Sequence, residues 1–306
     1  MIVYKELSSL VYDLGFSSKT LYSVSNHISS HYHKVEVPKG NGEYRRLSVP
    51  DELLKAIQKK IVSVLLVHEE ISPYATAYRF GGSTVANANP HLGAERIMKL
   101  DIRHFFDKII YPMVKQKVFT EEKYSEANSI LLSILCVYKD SLPQGAPTSP
   151  IISNIIMKDF DNKIGKWCEN KGITYTRYCD DLTFSGEFIP KELIEVVKSE
   201  LGKMGLYLNN KKTVVAGKGQ KKQITGIVVN EKLNTPINYR RKLRQELFYC
   251  RKYGVESHLK KKGNKVGKQE YLHKLLGKVN YVLSVDKDNM EMQEYRQWIK
   301  EQINKI

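Results

Sequence analysis

Residues 173–185 read Ile173-Thr174-Tyr175-Thr176-Arg177-Tyr178-Cys179-Asp180-Asp181-Leu182-Thr183-Phe184-Ser185. β-Branched and aromatic residues flank an Asp-Asp pair on both sides, which predicts two strands joined by a tight turn with the acids at its tip. Adjacent carboxylates repel, so placing them there costs energy unless a cation binds. Asp also tolerates turn conformations well, so a solvated Asp-Asp turn is the plain alternative.

A second acid changes the balance. Upstream, residues 96–102 (RIMKLDI) read as a strand carrying Asp101 near its end. A strand aspartate beside an acid pair is how a two-metal site is assembled, with two Mg²⁺ ions about 3.5–4 Å apart serving an in-line phosphoryl transfer. Mg²⁺ favours hard carboxylate oxygens completed by water and substrate phosphates. Asp101, Asp180 and Asp181 are therefore the candidate catalytic and metal-ligating residues. Competing chemistries lack their residues. The eight histidines are dispersed, no Gly-x-Ser-x-Gly elbow or GxxxxGK[ST] loop occurs, and Gly81-Gly82-Ser83 is too short to count as a phosphate loop.

The surrounding chain reads as mixed α and β. Residues 36–50 predict a β-hairpin around Lys39-Gly40-Asn41-Gly42, and 51–70 a helix with Asp51 and Glu52 at its start. Residues 113–138 read as helical. Over 150–168, Ile152, Ile156, Phe160 and Ile164 recur every fourth residue, with Ser149 as cap and Pro150 in the first turn. A helix is expected at 191–204 and short strands at 206–209 and 223–230. Helical patterns dominate from 231 onward. This order lacks regular βαβ alternation and is α+β.

The 306 residues, 42% hydrophobic, suffice for a sizeable core, and the formal net charge is +16. Such a surplus works against compaction and suits a polyanionic partner, nucleic acid first. The most basic stretch, residues 251–268, reads as a solvated loop or a nucleic-acid contact. The four cysteines lack CxxC spacing, which points to free thiols in a reducing cytoplasm rather than to zinc or disulfides. No apolar run reaches the roughly 20 residues that span a bilayer.

Tyr-x-Asp-Asp in a hairpin, preceded by a strand aspartate, resembles the palm of reverse transcriptases. The segment SLPQGAPTSPIISN at 141–154 is similar to that family's Pro-Gln-Gly, Ser-Pro and Asn motif. The resemblance runs from about residue 36 to the end. It implies a right-hand polymerase fold: an N-terminal helical extension over 1–35, fingers over 36–95, an antiparallel palm with inserted fingers helices over 96–230, and a basic helical thumb over 231–306. Phe106 matches the bulky residue under the nucleotide sugar, Gln144 and Gly145 the nucleotide pocket, and Arg45, with Arg79 as second candidate, the fingers position for the triphosphate. Gly145 would let the backbone approach nucleotide or template closely. Lys212 in GLYLNNKKT matches the lysine that neutralises or protonates the leaving pyrophosphate. LLGKVNYV at 275–282 is similar to the thumb's glycine-containing helix.

Two further segments resemble the retron branch: NANPH at 87–91, with Asn87, Ala88 and His91, and ITGIVV at 224–229, with Thr225 and Gly226. Cys179 stands where alanine is commoner. The resemblance implies an RNA-directed DNA polymerase using two Mg²⁺ ions, with Mn²⁺ as substitute. It would copy its own structured non-coding RNA from an internal guanosine 2′-OH and leave branched RNA-linked DNA (msDNA). Anti-phage defence with a separate effector protein is the expected setting, and no RNase H, maturase or endonuclease domain is expected. Arg240, Arg241, Arg244, Arg251, Lys252, Lys260, Lys261 and Lys262 are the candidate RNA contacts, with Tyr239, Phe248, Tyr249, Tyr253 and Tyr271 as candidate stacking rings. Alternatives are another bacterial reverse transcriptase (defence-associated, diversity-generating or group II intron-like) or a catalytically silent RNA-binding scaffold.

Overall fold

The computed structural model describes residues 3–38, 42–261, 263 and 266–305. The turn expected at 39–41 and Lys262 lie outside the described residues. The elements run in chain order α1 (Leu7–Leu14), α2 (Ser18–Asn26), β1 (Tyr32–Pro38), β2 (Tyr44–Pro50) and α3 (Glu52–Lys60), which continues as a π-helical stretch, Ile61–Leu66. There follow α4 (Thr84–Ala88), β3 (Ile97–Asp101), α5 (Phe105–Lys108), α6 (Tyr111–Lys117), α7 (Glu126–Cys136), α8 (Ser149–Glu169), β4 (Thr174–Tyr178), β5 (Asp181–Ser185), α9 (Pro190–Gly202) and β6 (Val214–Ala216). Two short strands, β7 (Gln223–Ile224) and β8 (Ile227–Val228), precede four helices: α10 (Ile237–Tyr253), α11 (Val255–Lys261), α12 (Lys268–Val285) and α13 (Met290–Ile303).

The chain divides into two compact units, Met1–Gly82 with Met98–Val215, and Ser83–Ile97 with Ala216–Ile306. Residues 83–97 and 216–230 thus group with the C-terminal helices.

In the first unit a four-stranded sheet has the order β4-β5-β3-β6. Strands β4 and β5 pair antiparallel from Thr174↔Ser185 to Tyr178↔Asp181, so only Cys179 and Asp180 form the turn. Met98 and Leu100 of β3, Leu182 and Phe184 of β5, and Ile152, Ile156, Phe160 and Ile164 of α8 are all buried in one core. The four-residue spacing on α8 therefore marks its buried stripe. Asp51 caps α3 by accepting from the Leu54 N–H at 2.9 Å.

Local details differ from expectation. The cap position of α8 is Thr148, whose side chain makes no capping bond. Ser149 lies inside the helix and donates to the Pro143 carbonyl at 2.8 Å, which fastens the Pro-Gln-Gly turn to the start of α8. The helix expected over 113–138 is two helices. The strand expected at 206–209 is a single bridge, Ile102↔Leu208, and the sheet's fourth strand is β6. The basic stretch after residue 251 is largely helical, ending α10 and forming α11, rather than a loop.

In the second unit, Ala88, Ile97, Ile224, Ile227, Val229 and Val285 form a small core, and helices α10 to α13 bury a second one. Between β7 and β8, Thr225 and Gly226 take φ of 43° and 85°.

Candidate active site

The sheet order places β5 beside β3, so the Asp-Asp turn lies next to the end of the strand carrying Asp101. The Ile102 N–H donates to the Asp180 carbonyl at 3.0 Å, and the Asn209 N–H to the Asp101 carbonyl at 2.7 Å. Asp101 is 7% exposed, Asp180 is half-buried, and Asp181 faces outward. Lys212 reaches in with Nζ 2.6 Å from Asp101 Oδ1 while its side chain stays 62% exposed.

Burial and the neighbouring charges show in the protonation of Asp180 and Asp181. Burial, and with it the charge of Asp101, holds the Asp180 carboxyl above the usual carboxylate range. Asp181 is pushed up to about 6, first by loss of hydration and then by Asp180 and Asp101. Its outer edge meets solvent, yet the surrounding protein crowds the carboxyl itself. The hydrogen bond to Asp101 raises the Lys212 ammonium pKa, so it stays charged. A cation would relieve this mutual repulsion. Among the described residues no three His, Cys, Asp or Glu side chains converge as a preformed metal cage. Mg²⁺ needs none, since it takes one or two carboxylates with water and substrate phosphates. The donors present fit that habit.

Behind the turn lies a buried network that sequence reading missed. Arg177 and Asp161 are both fully buried, with Nη2 2.6 Å from Oδ2. Arg177 Nε donates to both Asp161 oxygens at 2.8 and 3.0 Å. Nη2 also donates to Asn154 Oδ1 at 3.1 Å, and Nη1 to the Cys179 carbonyl at 3.0 Å. Tyr175 OH donates to Asp161 at 2.8 Å. Cys179 holds φ of 61°, a left-handed conformation costly for a residue with a side chain, and the bond to its carbonyl helps fix it there. Asn154 and Asp161 lie seven residues apart on the buried stripe of α8, and that pairing was the available signal for a buried cationic partner. Burial pushes the Cys179 thiol up to about 12, so it is neutral and weakly reactive at neutral pH.

The residues expected near the nucleotide fall as follows. Phe106 is half-buried on α5, edge-on to the buried Phe105 at 5.4 Å. The Gln144 carbonyl accepts from the Ser48 N–H at 2.8 Å, tying the Pro-Gln-Gly turn to β2. A Cβ on Gly145 would lie 2.8 Å from the Ser48 carbonyl oxygen, at φ of +128°. The close approach that this glycine permits is thus to β2. Arg45 is exposed on the same strand. The Arg79 guanidinium donates to the carbonyls of Ser72 and Ala75 at 3.2 Å each, so it holds its own loop together.

The two family-marker elements meet in the second unit. Asn87 Nδ2 donates to Thr225 Oγ1 at 3.4 Å, and Thr225 Oγ1 donates to the Thr84 carbonyl at 3.1 Å. Ala88 packs with Ile224 and Ile227. His91 is buried, and burial pushes its pKa down to about 4, so it is neutral. Asn87, Ala88 and Thr225 hold the β7–β8 hairpin to α4.

The thumb's basic residues are unequally engaged. Arg240 donates to Asn234, Arg244 pairs with Glu291 at 2.5 Å, and Lys252 sits over the rings of Phe248 and Tyr253 at 5.5 and 5.2 Å. Arg241 and Arg251 are exposed on α10, as are Lys260 and Lys261 on α11. Of the five rings singled out, Tyr271 is buried and Tyr239 packs on the core, whereas Phe248, Tyr249 and Tyr253 are exposed.

A family model described as reverse transcriptase (RNA-dependent DNA polymerase) matches residues 37–229. The retron Ec86 reverse transcriptase of Escherichia coli is 30% identical over 251 residues, covering 79% of this chain and 72% of that protein. The retron Ec83 reverse transcriptase of Escherichia coli is 34% identical over 225 residues, covering 67% and 71%. The retron Mx65 reverse transcriptase of Myxococcus xanthus is 30% identical over 249 residues, covering 74% and 58%. The chain belongs to the reverse transcriptase family, RNA-directed DNA polymerases with an α+β right-hand fold. Within that family it is of the retron type. Membership implies use of a divalent metal and an RNA template. Among the described residues no helix is long and apolar enough to cross a membrane.

Proposed function

We propose that this reverse transcriptase copies part of its own structured non-coding RNA into DNA, starting from a guanosine 2′-OH and yielding branched msDNA. Each addition joins a hydroxyl oxygen to the α-phosphorus of a deoxynucleoside triphosphate and breaks the bond to pyrophosphate. The observation that carries this reading is the meeting of Asp101 with Asp180 and Asp181 on adjacent strands, with the Asp180 and Asp181 carboxyls raised by burial and then by neighbouring charge. Asp101 and Asp180 would hold two Mg²⁺ ions (Mn²⁺ in their place), supported by Asp181. When bound, such ions activate the attacking hydroxyl and stabilise the leaving oxygen. Lys212, held charged beside Asp101, supplies a proton or a positive charge to the departing pyrophosphate. Phe106 lies under the sugar and rejects a 2′-OH by contact, Gln144 and Gly145 line the nucleotide pocket, and Arg45 meets the triphosphate.

The thumb's basic helices bind the RNA through phosphates and helical shape rather than base edges. Anti-phage defence in the cytoplasm, with a separate effector protein, is the biological setting of this reading. Primer extension on an RNA template with Mg²⁺ and deoxynucleotides tests the chemistry. Asp180→Asn abolishes synthesis while RNA binding persists, and Phe106→Ala raises ribonucleotide incorporation. Synthesis surviving in Asp180→Asn overturns the aspartate assignment, and an unchanged sugar preference in Phe106→Ala removes the gate.

A further inference from the structure

The second unit contains a groove of about 780 Å³ among α10, α11 and α12. One wall is a helical stripe of α10, Lys242, Glu246, Tyr249 and Tyr253, and the opposite wall carries His258 and Lys261 of α11. Tyr249 stands at the centre of a ring series, 6.0 Å from Tyr253 and 6.0 Å from His258, with interplanar angles of 30° and 23°. Tyr249 is 37% and Tyr253 56% exposed, so both rings offer faces to solvent. At the floor, the Glu246 carboxylate accepts from Tyr271 OH and from Lys278 Nζ, each at 2.8 Å. Its orientation is thereby fixed.

This combination is more than a plain phosphate patch, because two solvent-facing tyrosine rings and a fixed carboxylate stand among its lysines. It is also not an apolar groove for a peptide helix, because the wall is tyrosine edged with lysine. Rings stack on any nucleobase, lysines at the rim meet the adjoining phosphates, and a fixed carboxylate accepts from exocyclic amino groups of bases. We infer that this groove takes a single unpaired nucleotide of an RNA, stacked on Tyr249 and Tyr253. Glu246 reads an amino-bearing base edge, and Lys242 and Lys261 meet the backbone. Adenine, cytosine and guanine present an exocyclic amino group, whereas uracil offers only its N3–H flanked by two carbonyls that the carboxylate repels, so the site favours amino-bearing bases over uracil. The inference rests on the reading of the second unit as RNA-binding and adds to it a base-reading site.

Fluorescence anisotropy of the full-length protein with short labelled homopolymers of adenylate, cytidylate and uridylate tests it. Adenylate and cytidylate are expected to bind at least roughly fivefold more tightly than uridylate. The Tyr249→Ala/Tyr253→Ala variant should weaken adenylate binding about 5- to 150-fold, with its helical circular dichroism retained. Glu246→Gln should narrow the gap between adenylate and uridylate. Equal binding of all three homopolymers, unaffected by loss of both rings, overturns the inference in favour of a phosphate-only surface. Displacement of adenylate by polyglutamate but not by unlabelled cytidylate overturns it in favour of an acidic peptide partner. Absence of binding to every homopolymer and to structured RNA by the wild-type protein overturns the underlying RNA-binding reading instead.

Discussion

Arg177→Met tests how the catalytic turn is supported. The native guanidinium donates to both oxygens of Asp161, to Asn154 and to the Cys179 carbonyl, with neither Arg177 nor Asp161 exposed. Burial works against its charge, but Asp161 outweighs that and raises the guanidinium pKa. Methionine fills similar volume and leaves the Asp161 carboxylate in the core with Tyr175 OH still donating. Breaking a buried pair from one side costs about 3–5 kcal/mol, a fall of about 10²–10⁴ in the folding equilibrium constant. For a unit near 200 residues the midpoint drops by about 6–20 °C. Replacing both partners, Arg177→Met with Asp161→Leu, removes the stranded charge. It should recover part of the loss, though not all, because Asn154, Tyr175 and the Cys179 carbonyl each lose a partner at about 1–3 kcal/mol. Thermal and urea melts of wild type, both single variants and the double variant give the coupling. The result should barely change with added salt, since a fully buried pair escapes screening. A loss below about 1 kcal/mol in Arg177→Met, or strictly additive single variants, would refute the reasoning.

The site itself makes three further predictions. Asp181→Asn should raise the melting temperature at pH 7.5 without added metal. The folded carboxyl titrates at about 6 against an ordinary 3.8, so the wild type gains stability from protonation at low pH and loses it as pH rises through 6. The advantage of the variant therefore shrinks as pH falls below about 6, and a gap constant with pH would contradict this. Lys212→Ala leaves Asp101, whose side chain is 9% exposed, without its ammonium partner at a cost of about 1–3 kcal/mol, and should lower kcat about 10²–10⁴-fold if Lys212 acts as general acid. An unchanged kcat in single-turnover extension would remove that role. Gly145→Ala should cost about 1–3 kcal/mol through its left-handed backbone and the 2.8 Å encounter with Ser48, and melts read this directly. An alanine variant as stable as wild type would show that the turn relaxes away from β2.

What the sequence revealed and what it hid follow from the range of the interactions involved. The Asp-Asp hairpin was legible because strand propensity and a turn of two residues are local properties, and the buried face of α8 because its spacing is periodic. Asp101 was legible because its strand is apolar around a single acid. The Arg177–Asp161 pair was not, because its partners are 16 residues apart in sequence and meet only when β4 packs on α8. The contact of Gly145 with Ser48 was hidden for a related reason: a positive φ and that close approach depend on where β2 lies. Arg79 matched a basic position in sequence, but the carbonyls of its own loop engage its guanidinium. Ser149 fell one residue inside the helix because helix ends shift easily by a residue. The meeting of Asn87 with Thr225 joins segments that are 138 residues apart, which no local pattern reveals.

The most direct test of the central claim is to recover the nucleic acid that co-purifies with the protein expressed from its native locus, then treat it with RNase and debranching enzyme. The account predicts a DNA whose mobility shifts after debranching in the wild type and no DNA in Asp180→Asn. A DNA indifferent to debranching would contradict 2′-OH priming, and the same DNA recovered from Asp180→Asn would contradict the aspartate site itself.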